Sequence, residues 1–441
     1  KHRTRQQQRR RRQQQGWELS RHPGRNTSDP AYGVLSPMGG DFNRGFMSRR
    51  TLSILASLVL LSACTAEVVP TTPSSTTNPT QSTTTTTQPT TTTTAPFVVE
   101  GAGAELTALV DAFYAYVTAE SDAPPLMPAE VLASIASAPA EPPVTASATG
   151  AVFKGQGVAV VESGNDLMLA VDDGSGWRIV GGEWPDYGIS PFYGVGPRMI
   201  AVVGSDARTG EQADETRADS IHFVTLDGSG AGAVVGLPRD SYVPVPGHGT
   251  QKVTGSLALG GPAVMLETFR NLTGLPLEGY VLTGFNGFKS LIDILGGVEV
   301  EVPFPINDSA AKASLSAGLQ VLNGLDALAF ARARKTVPGG DFGRSQHQGD
   351  ILVAAAQMVR SLGPSAVPGL LQAAEPYLHT DLSPEQLLTF SVLAIKANVE
   401  EMPNFVAAGT PGRAGAASVV YLADSAYATF ADLQDGRIGG G

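Results

Sequence analysis

The sequence predicts an α/β fold. A layered domain with a mixed central sheet flanked by helices is preceded by a small α+β module and a disordered tether. Three observations carry this. From Arg198 onward, short apolar runs alternate with stretches of helical period. Between residues 97 and 196 the apolar positions fit one helix followed by short strands. Residues 64–96 are dominated by Thr, Pro and Ser, with no charge between Glu67 and Glu100; such a stretch cannot bury a core.

Taken in chain order, residues 1–46 come first. They hold ten Lys/Arg against three Asp/Glu and show no apolar period. They read as an upstream translated extension or a disordered basic arm, with Met47 as the start of the protein proper. Arg49 and Arg50 precede an apolar run, Thr51 to Ala63. Thirteen residues are too few to span a bilayer and suit a signal-peptide core over 47–63. The run closes in Leu61-Ser62-Ala63-Cys64. This resembles the lipobox of bacterial lipoproteins, which implies that Cys64 is lipidated after cleavage. Cys64 is the sole cysteine, so no intramolecular disulfide forms. The tether at 64–96 would then hold the folded part off the membrane.

In the module at 97–196, Leu106, Leu109, Val110, Phe113 and Val117 follow helical spacing. Strands are expected at Val158–Val161, Leu167–Val171 and Trp177–Val180, separated by Gly-containing turns. No constellation of reactive residues accompanies them, so the segment reads as an accessory module.

The main domain is expected over 197–438. Met199–Val203, Ile221–Leu226, Ala233–Leu237, Tyr280–Thr283 and Val298–Val302 read as strands. Pro262–Leu272, Phe285–Leu295 and Asp350–Leu362 read as helices. Apolar residues of the first two helices, Phe269, Phe285 and Phe288 among them, are candidates for a greasy slot, although core packing is the commoner fate of such positions.

Charge narrows the function. Residues 64–441 hold 18 Lys/Arg against 38 Asp/Glu. A chain this acidic is a poor nucleic-acid binder, and its few arginines are the more telling. They fall in two clusters. The first holds Asp206, Arg208, Arg217, Asp219, Arg239 and Asp240; the second holds Arg332, Arg334, Asp341, Arg344 and Gln348. Asp206 lies just past a buried strand, where open α/β sheets place ligands. Asp206 and Asp219 can share one Mg²⁺ that takes its remaining ligands from water and phosphate. Arg332 and Arg334 share a face if their segment is extended, and need an anion between them. Arg344 and Gln348 share a helix face, with Asp341 at a plausible N-cap. Carboxylates beside several guanidinium forks suit a pyrophosphate.

These residues, with Leu237-Pro238-Arg239-Asp240-Ser241, Lys252, Phe285-Asn286-Gly287-Phe288, Ala331-Arg332-Ala333-Arg334-Lys335 and Gly340-Asp341-Phe342-Gly343-Arg344, resemble the LytR-CpsA-Psr family in order and spacing from about residue 198 to 438. The resemblance implies a phosphotransferase of the bacterial cell envelope. It would move an anionic glycopolymer from a polyprenyl pyrophosphate carrier to a peptidoglycan hydroxyl through a phosphodiester, with Mg²⁺. It would work at the outer face of the cytoplasmic membrane, facing the cell wall. Position by position, the resemblance implies Asp206 and Asp219 as metal ligands. It implies Arg208, Arg217, Lys252, Arg332, Arg334, Arg344 and Gln348 as pyrophosphate-binding, and Arg239, Asp240 and Asp341 as catalytic. A departure is the expected lipid anchor where the family commonly has a transmembrane helix. Two readings compete: hydrolysis of the same pyrophosphate, or a non-catalytic envelope lipoprotein that binds carrier lipid or glycan.

Overall fold

The computed structural model describes residues 98–135, 143 and 145–439. All of them belong to the second of two units, residues 89–441. The basic extension, the signal segment, Cys64 and the tether lie outside the described residues.

The described chain opens with β1 (Val98–Glu100), α1 (Ala104–Val117), α2 (Ala129–Ser134), β2 (Thr145–Phe153), β3 (Gln156–Ser163), β4 (Asp166–Asp172), β5 (Trp177–Trp184) and β6 (Ile189–Phe192). They form a six-stranded sheet in that order, with β1 parallel to β2 and the rest an antiparallel meander. β4 is buried along nearly its whole length, because both sheet faces are covered. On one face, α1 sets Leu106, Val110, Phe113 and Val117 in a core with Val161, Met168, Ile179 and Trp184. The Phe113 and Trp184 rings lie 4.9 Å apart.

The chain continues through β7 (Arg198–Ser205), β8 (Ala218–Leu226), β9 (Gly232–Gly236), β10 (Tyr242–Val245), β11 (Gly249–Lys252) and α3 (Gly255–Thr273). Then come β12 (Gly279–Thr283), α4 (Phe285–Ile294), β13 (Val298–Val302), β14 (Ile306–Asp308), β15 (Ala313–Leu315), β16 (Gly318–Leu322) and α5 (Gly324–Arg332). The last elements are α6 (Asp341–Leu362), α7 (Val367–Ala374), β17 (His379–Thr380), α8 (Pro384–Lys396), β18 (Asn404–Val406), β19 (Gly409–Ala414), β20 (Ala417–Leu422) and α9 (Asp424–Asp432). The second sheet has the order β17-β12-β7-β8-β9-β18. β12 runs parallel to β7 and β18 parallel to β9, while the other neighbours are antiparallel. It is the expected mixed sheet.

Strand alternation decides the layers. Met199, Ala201 and Val203 of β7 face a core shared with Phe269 of α3 and Phe430 of α9. Ile200 and Val202 face the other way, into a core with Leu371 of α7, Leu388 and Leu393 of α8, and Val353 of α6. That second core also takes Phe153, Val160, Leu169 and Val180 of the first sheet. The helices α6, α7 and α8 are therefore packed between two sheets, each of which has an outer helical layer. Burying each such side chain contributes roughly 1.5–3 kcal/mol. A capping box starts α8: Ser383 Oγ accepts from Gln386 N, and the Gln386 side chain accepts from Ser383 N.

Three local expectations change. The helix read from Pro262 begins at Gly255, as two pieces broken at Gly260 and Gly261. Gly261 sits at φ +68°, a conformation that favours glycine, and Pro262 opens the second piece, where a missing N–H costs nothing. Val298–Val302 is a strand as expected, but it stands outside the central sheet and pairs with β16 in a ribbon. Its alternation explains this: Val298, Val300 and Val302 are buried and Glu299 and Glu301 exposed, the pattern of a strand covered on one side only. Arg332 and Arg334 are not on an extended strand: Arg332 is the last residue of α5, and the chain turns extended at Ala333.

Candidate functional site

A cavity of about 400 Å³ opens where β7, β8, β12, α4, α5 and α6 meet. Three elements enter it with the same gradient. Along β7 its lining passes from Val202 and Val203 to Ser205 and, just beyond, Asp206. Along α5 it passes from Leu328 to Ala331 and Arg332, and along α6 from Arg344 through Gln348 to Ile351 and Leu352. On α6 these residues are four, seven and eight apart, one face of a helix, spanning about 12 Å. Phe285, Phe288, Ala310 and Ala311 add apolar wall; Arg208, Asp219, Arg239, Arg334 and Lys335 add charge. The space is shaped for a molecule with an anionic head and an apolar body.

Local geometry fixes the charged end. Asp206 N donates to Arg217 O, and Arg217 N donates to Asp206 Oδ1, both at 3.0 Å. This clasp follows a register shift between Gly204 and Ser205. Arg239 Nη1 donates to Asp219 Oδ2 at 2.5 Å, and Arg239 Nε lies 3.7 Å from Asp341 Oδ1. The same Asp341 oxygen is 2.8 Å from Arg344 and 3.5 Å from Arg334. Gly340 is the cap of α6, and Asp341 is its first helical residue. The carboxylate therefore serves as a hub for three guanidiniums instead of an N-cap. Arg332 lies over the Phe285 ring, 4.7 Å from its centroid, which holds the guanidinium by cation–π attraction. Gln348 Nε2 donates to Ala331 O at 3.1 Å and ties α6 to α5.

The electrostatics are unbalanced. Burial works against the Arg239 charge, but Asp219, Asp341 and Asp240 outweigh it and hold the pKa above its ordinary value. Arg344 goes the other way: burial lowers its pKa, and repulsion from Arg239 and Arg334 adds to that against the pull of Asp341. Arg239 Nε, Arg344 Nε and Ser205 Oγ are buried donors with no hydrogen-bond partner among the described residues. Buried polar atoms left this way cost about 1–3 kcal/mol each. An anion that met the guanidiniums would relieve both strains.

Not every sequence candidate lines the cavity. The Arg217 side chain is exposed and contributes through its backbone. Lys252 Nζ lies 2.9 Å from Asp240 Oδ1, so these two residues pair with each other beside the cavity instead of lining it. Met265, Leu266 and Phe269 of α3 pack into the core, leaving Phe285 and Phe288 as the slot residues of that set. Sequence reasoning missed Ser205, Ser220, Asp308, Ala310, Ala311, Leu328, Ile351 and Leu352. The α6 residues were findable, since they continue the Arg344–Gln348 face; Asp308 was not, because its partners lie far along the chain.

Among the described residues, no group of three or more Asp, Glu, His or Cys side chains could hold a metal ion. Asp206 and Asp219 both border the cavity, and Asp206 Oδ2 takes no hydrogen bond from a described residue. Two carboxylates without a third protein ligand fit a Mg²⁺ that keeps waters and shares substrate phosphate oxygens. No described helix is long and apolar enough to cross a membrane.

A family model described as the LytR_cpsA_psr family matches residues 191–429. The chain is 34% identical over 158 residues to the polyisoprenyl-teichoic acid–peptidoglycan teichoic acid transferase TagU of Bacillus licheniformis, covering 35% of this chain and 50% of that protein. It is 32% identical over 174 residues to the probable cell wall biosynthesis protein LcpB of Corynebacterium glutamicum, covering 37% and 42%. The chain thus spans about half the length of these curated relatives. The crystal structure of TagV from B. subtilis superposes with a TM-score of 0.47 at 26% identity, over 53% of this chain and 94% of that one.

Proposed function

Because the chain belongs to the LytR_cpsA_psr family, we propose that it transfers an anionic glycopolymer from a polyprenyl diphosphate carrier to peptidoglycan, forming a phosphodiester. One observation carries the reading: β7, α5 and α6 each run from apolar to charged across a single cavity, matching a diphosphate joined to a prenyl chain. The names of the TagU relatives, which are teichoic acid transferases acting on peptidoglycan, support it.

The chemistry needs little covalent help. A sugar hydroxyl attacks the glycan-side phosphorus, the bond to the bridging oxygen breaks to release prenyl monophosphate, and the hydroxyl proton passes to that phosphate or to solvent. Charge spreads over the phosphoryl oxygens on the way, so catalysis is positioning and neutralisation. Arg332, Arg334 and Arg344 would clamp the diphosphate, with Gln348 fixing the α5–α6 wall. Arg239, gripped by Asp219 and steered by Asp341, would meet the charge on the oxygens of the attacked phosphoryl group. Asp341 keeps the guanidiniums together before substrate arrives. Asp240 and Lys252, paired with each other, would support Arg239 from the adjoining hairpin. Mg²⁺ held by Asp206 and Asp219 would supply further charge neutralisation. The apolar wall of Phe285, Phe288, Leu328, Ile351 and Leu352 would take the prenyl chain. Lipidation at Cys64 would keep the enzyme at the membrane that holds its carrier.

The test is to incubate the full chain with a prenyl-diphosphate-linked glycan and peptidoglycan fragments, with and without Mg²⁺. The expected products are glycan–peptidoglycan phosphodiester and prenyl monophosphate. Release of the glycan phosphate without coupling would favour a phosphatase. Binding of carrier without turnover would favour a non-catalytic lipoprotein.

A further inference from the structure

We infer that Asp308 is a positioning residue that fixes the arginine-bearing edge of the cavity, holding Arg334 and Lys335 where a substrate diphosphate meets them. The inference rests on the transferase reading. Arg334 and Lys335 lie between α5 and α6, in a stretch of turns, and both are exposed. A segment with so few packing contacts opens easily unless something fastens its backbone. Asp308, the last residue of β14, does so. Its Oδ2 accepts from Arg334 N at 2.9 Å and Lys335 N at 2.8 Å. Its Oδ1 accepts from Ala310 N at 3.0 Å and Ala311 N at 3.2 Å.

One carboxylate thus joins two walls of the cavity, the apolar turn at Ala310 and Ala311 and the basic edge at Arg334 and Lys335. Four N–H donors saturate the roughly four lone-pair directions of an ionised carboxylate. Asp308 is 2% exposed, yet the Arg334 and Lys335 amides, with those of Ala311 and Ala310, pull its pKa down to about 2. The four amide dipoles partly offset the charge that Asp308 keeps, which softens its repulsion of an anion at the cavity. Only an acceptor-only group fits. An asparagine of the same shape would turn its NH₂ toward two N–H donors.

That asymmetry makes the role testable. The full chain is titrated calorimetrically with inorganic pyrophosphate, as wild type, Asp308→Asn, Arg334→Ala and the double variant, with Tm recorded for each. Asp308→Asn is expected to weaken binding about tenfold or more, since small misplacements are costly in such sites. It should cost less in the Arg334→Ala background than in the wild type, because part of its effect passes through Arg334. Binding equal to wild type, or losses that multiply in the double variant, would overturn the assignment. If Asp308→Asn does not fold, Lys335→Pro and Lys335→Ala are compared: proline removes an N–H that Asp308 holds and alanine keeps it. Weaker binding for proline supports the role; equal binding overturns it. A wild-type chain that ignores pyrophosphate would instead sink the transferase reading itself, and this inference with it.

Discussion

The two six-stranded sheets treat charge in opposite ways. In the first, a buried acid is settled by its neighbours: Asp166 takes hydrogen bonds from Tyr114 and from Asp186 N. No arginine cluster forms around it. In the second, β7 and β8 end in a group of arginines and carboxylates whose buried polar atoms stay partly unsatisfied. The first sheet behaves as a scaffold, close-packed on both faces. The second carries a cavity at one end, lined by its strands together with α4, α5 and α6. Unsatisfied polar groups persist only where something overrides their cost; Ser205 Oγ, Arg239 Nε and Arg344 Nε are such groups at the cavity. The contrast teaches where to look for chemistry: at the charges that folding leaves unbalanced.

The comparison can be broken in order of effect. Phe113→Ala empties the outer core of the first sheet and should cost about 3–5 kcal/mol of stability, read as a drop in denaturation midpoint. Pyrophosphate affinity of the folded fraction should not change; a matching loss would mean that the first sheet shapes the site. Arg344→Ala removes a clamp arginine and should lower kcat/KM by roughly 10²–10³-fold, by analogy with loss of an oxyanion donor. Unaltered turnover in a folded variant would remove Arg344 from the clamp. Leu352→Gln places a polar group at the apolar end of the cavity. It should raise KM for a long-chain prenyl diphosphate about tenfold, at about 25 cal/mol per Å² of lost apolar burial, and leave pyrophosphate binding as it was. Equal shifts for both ligands would place the prenyl chain elsewhere.

Asp166 gives a smaller, pH-dependent contrast. Burial, aided by the nearby Asp186 charge, raises its pKa from 3.8 to about 6. The folded state therefore binds the proton more tightly than the unfolded chain. Its contribution is fully present below about pH 4 and is lost as pH rises through about 6. Asp166→Asn should match wild type at low pH and exceed it by about 1–3 kcal/mol near pH 7. Parallel Tm–pH curves for the two proteins would show that Asp166 is not the source. The smallest effect is expected from Arg178→Ala, which breaks a half-exposed pair with Glu385 at 2.6 Å. Such pairs contribute about 0–1 kcal/mol, so a loss of activity there would mean that the two sheets communicate.

Much of this was legible in the sequence. The strands at Met199–Val203, Ile221–Leu226 and Tyr280–Thr283 stand where their apolar runs place them. Arg344 and Gln348 share a face because a helix repeats every 3.6 residues. Arg332 and Arg334 reached the cavity for a different reason from the expected one. A helix ends between them, and the bend at Ala333, not strand alternation, separates their roles.

Local pattern and residue chemistry determined the strands and helices, the mixed α/β class, the acidic balance and most of the arginines that line the cavity. Those signals act over a few residues and survive in the linear chain. Tertiary structure alone decided which charges face each other. Asp341 became a hub for Arg239, Arg334 and Arg344, Lys252 paired with Asp240, and Asp308 took amides 26 residues away. Coulomb energy and hydrogen bonds depend on distance in space, and contacts between distant segments exist only once the layers have packed.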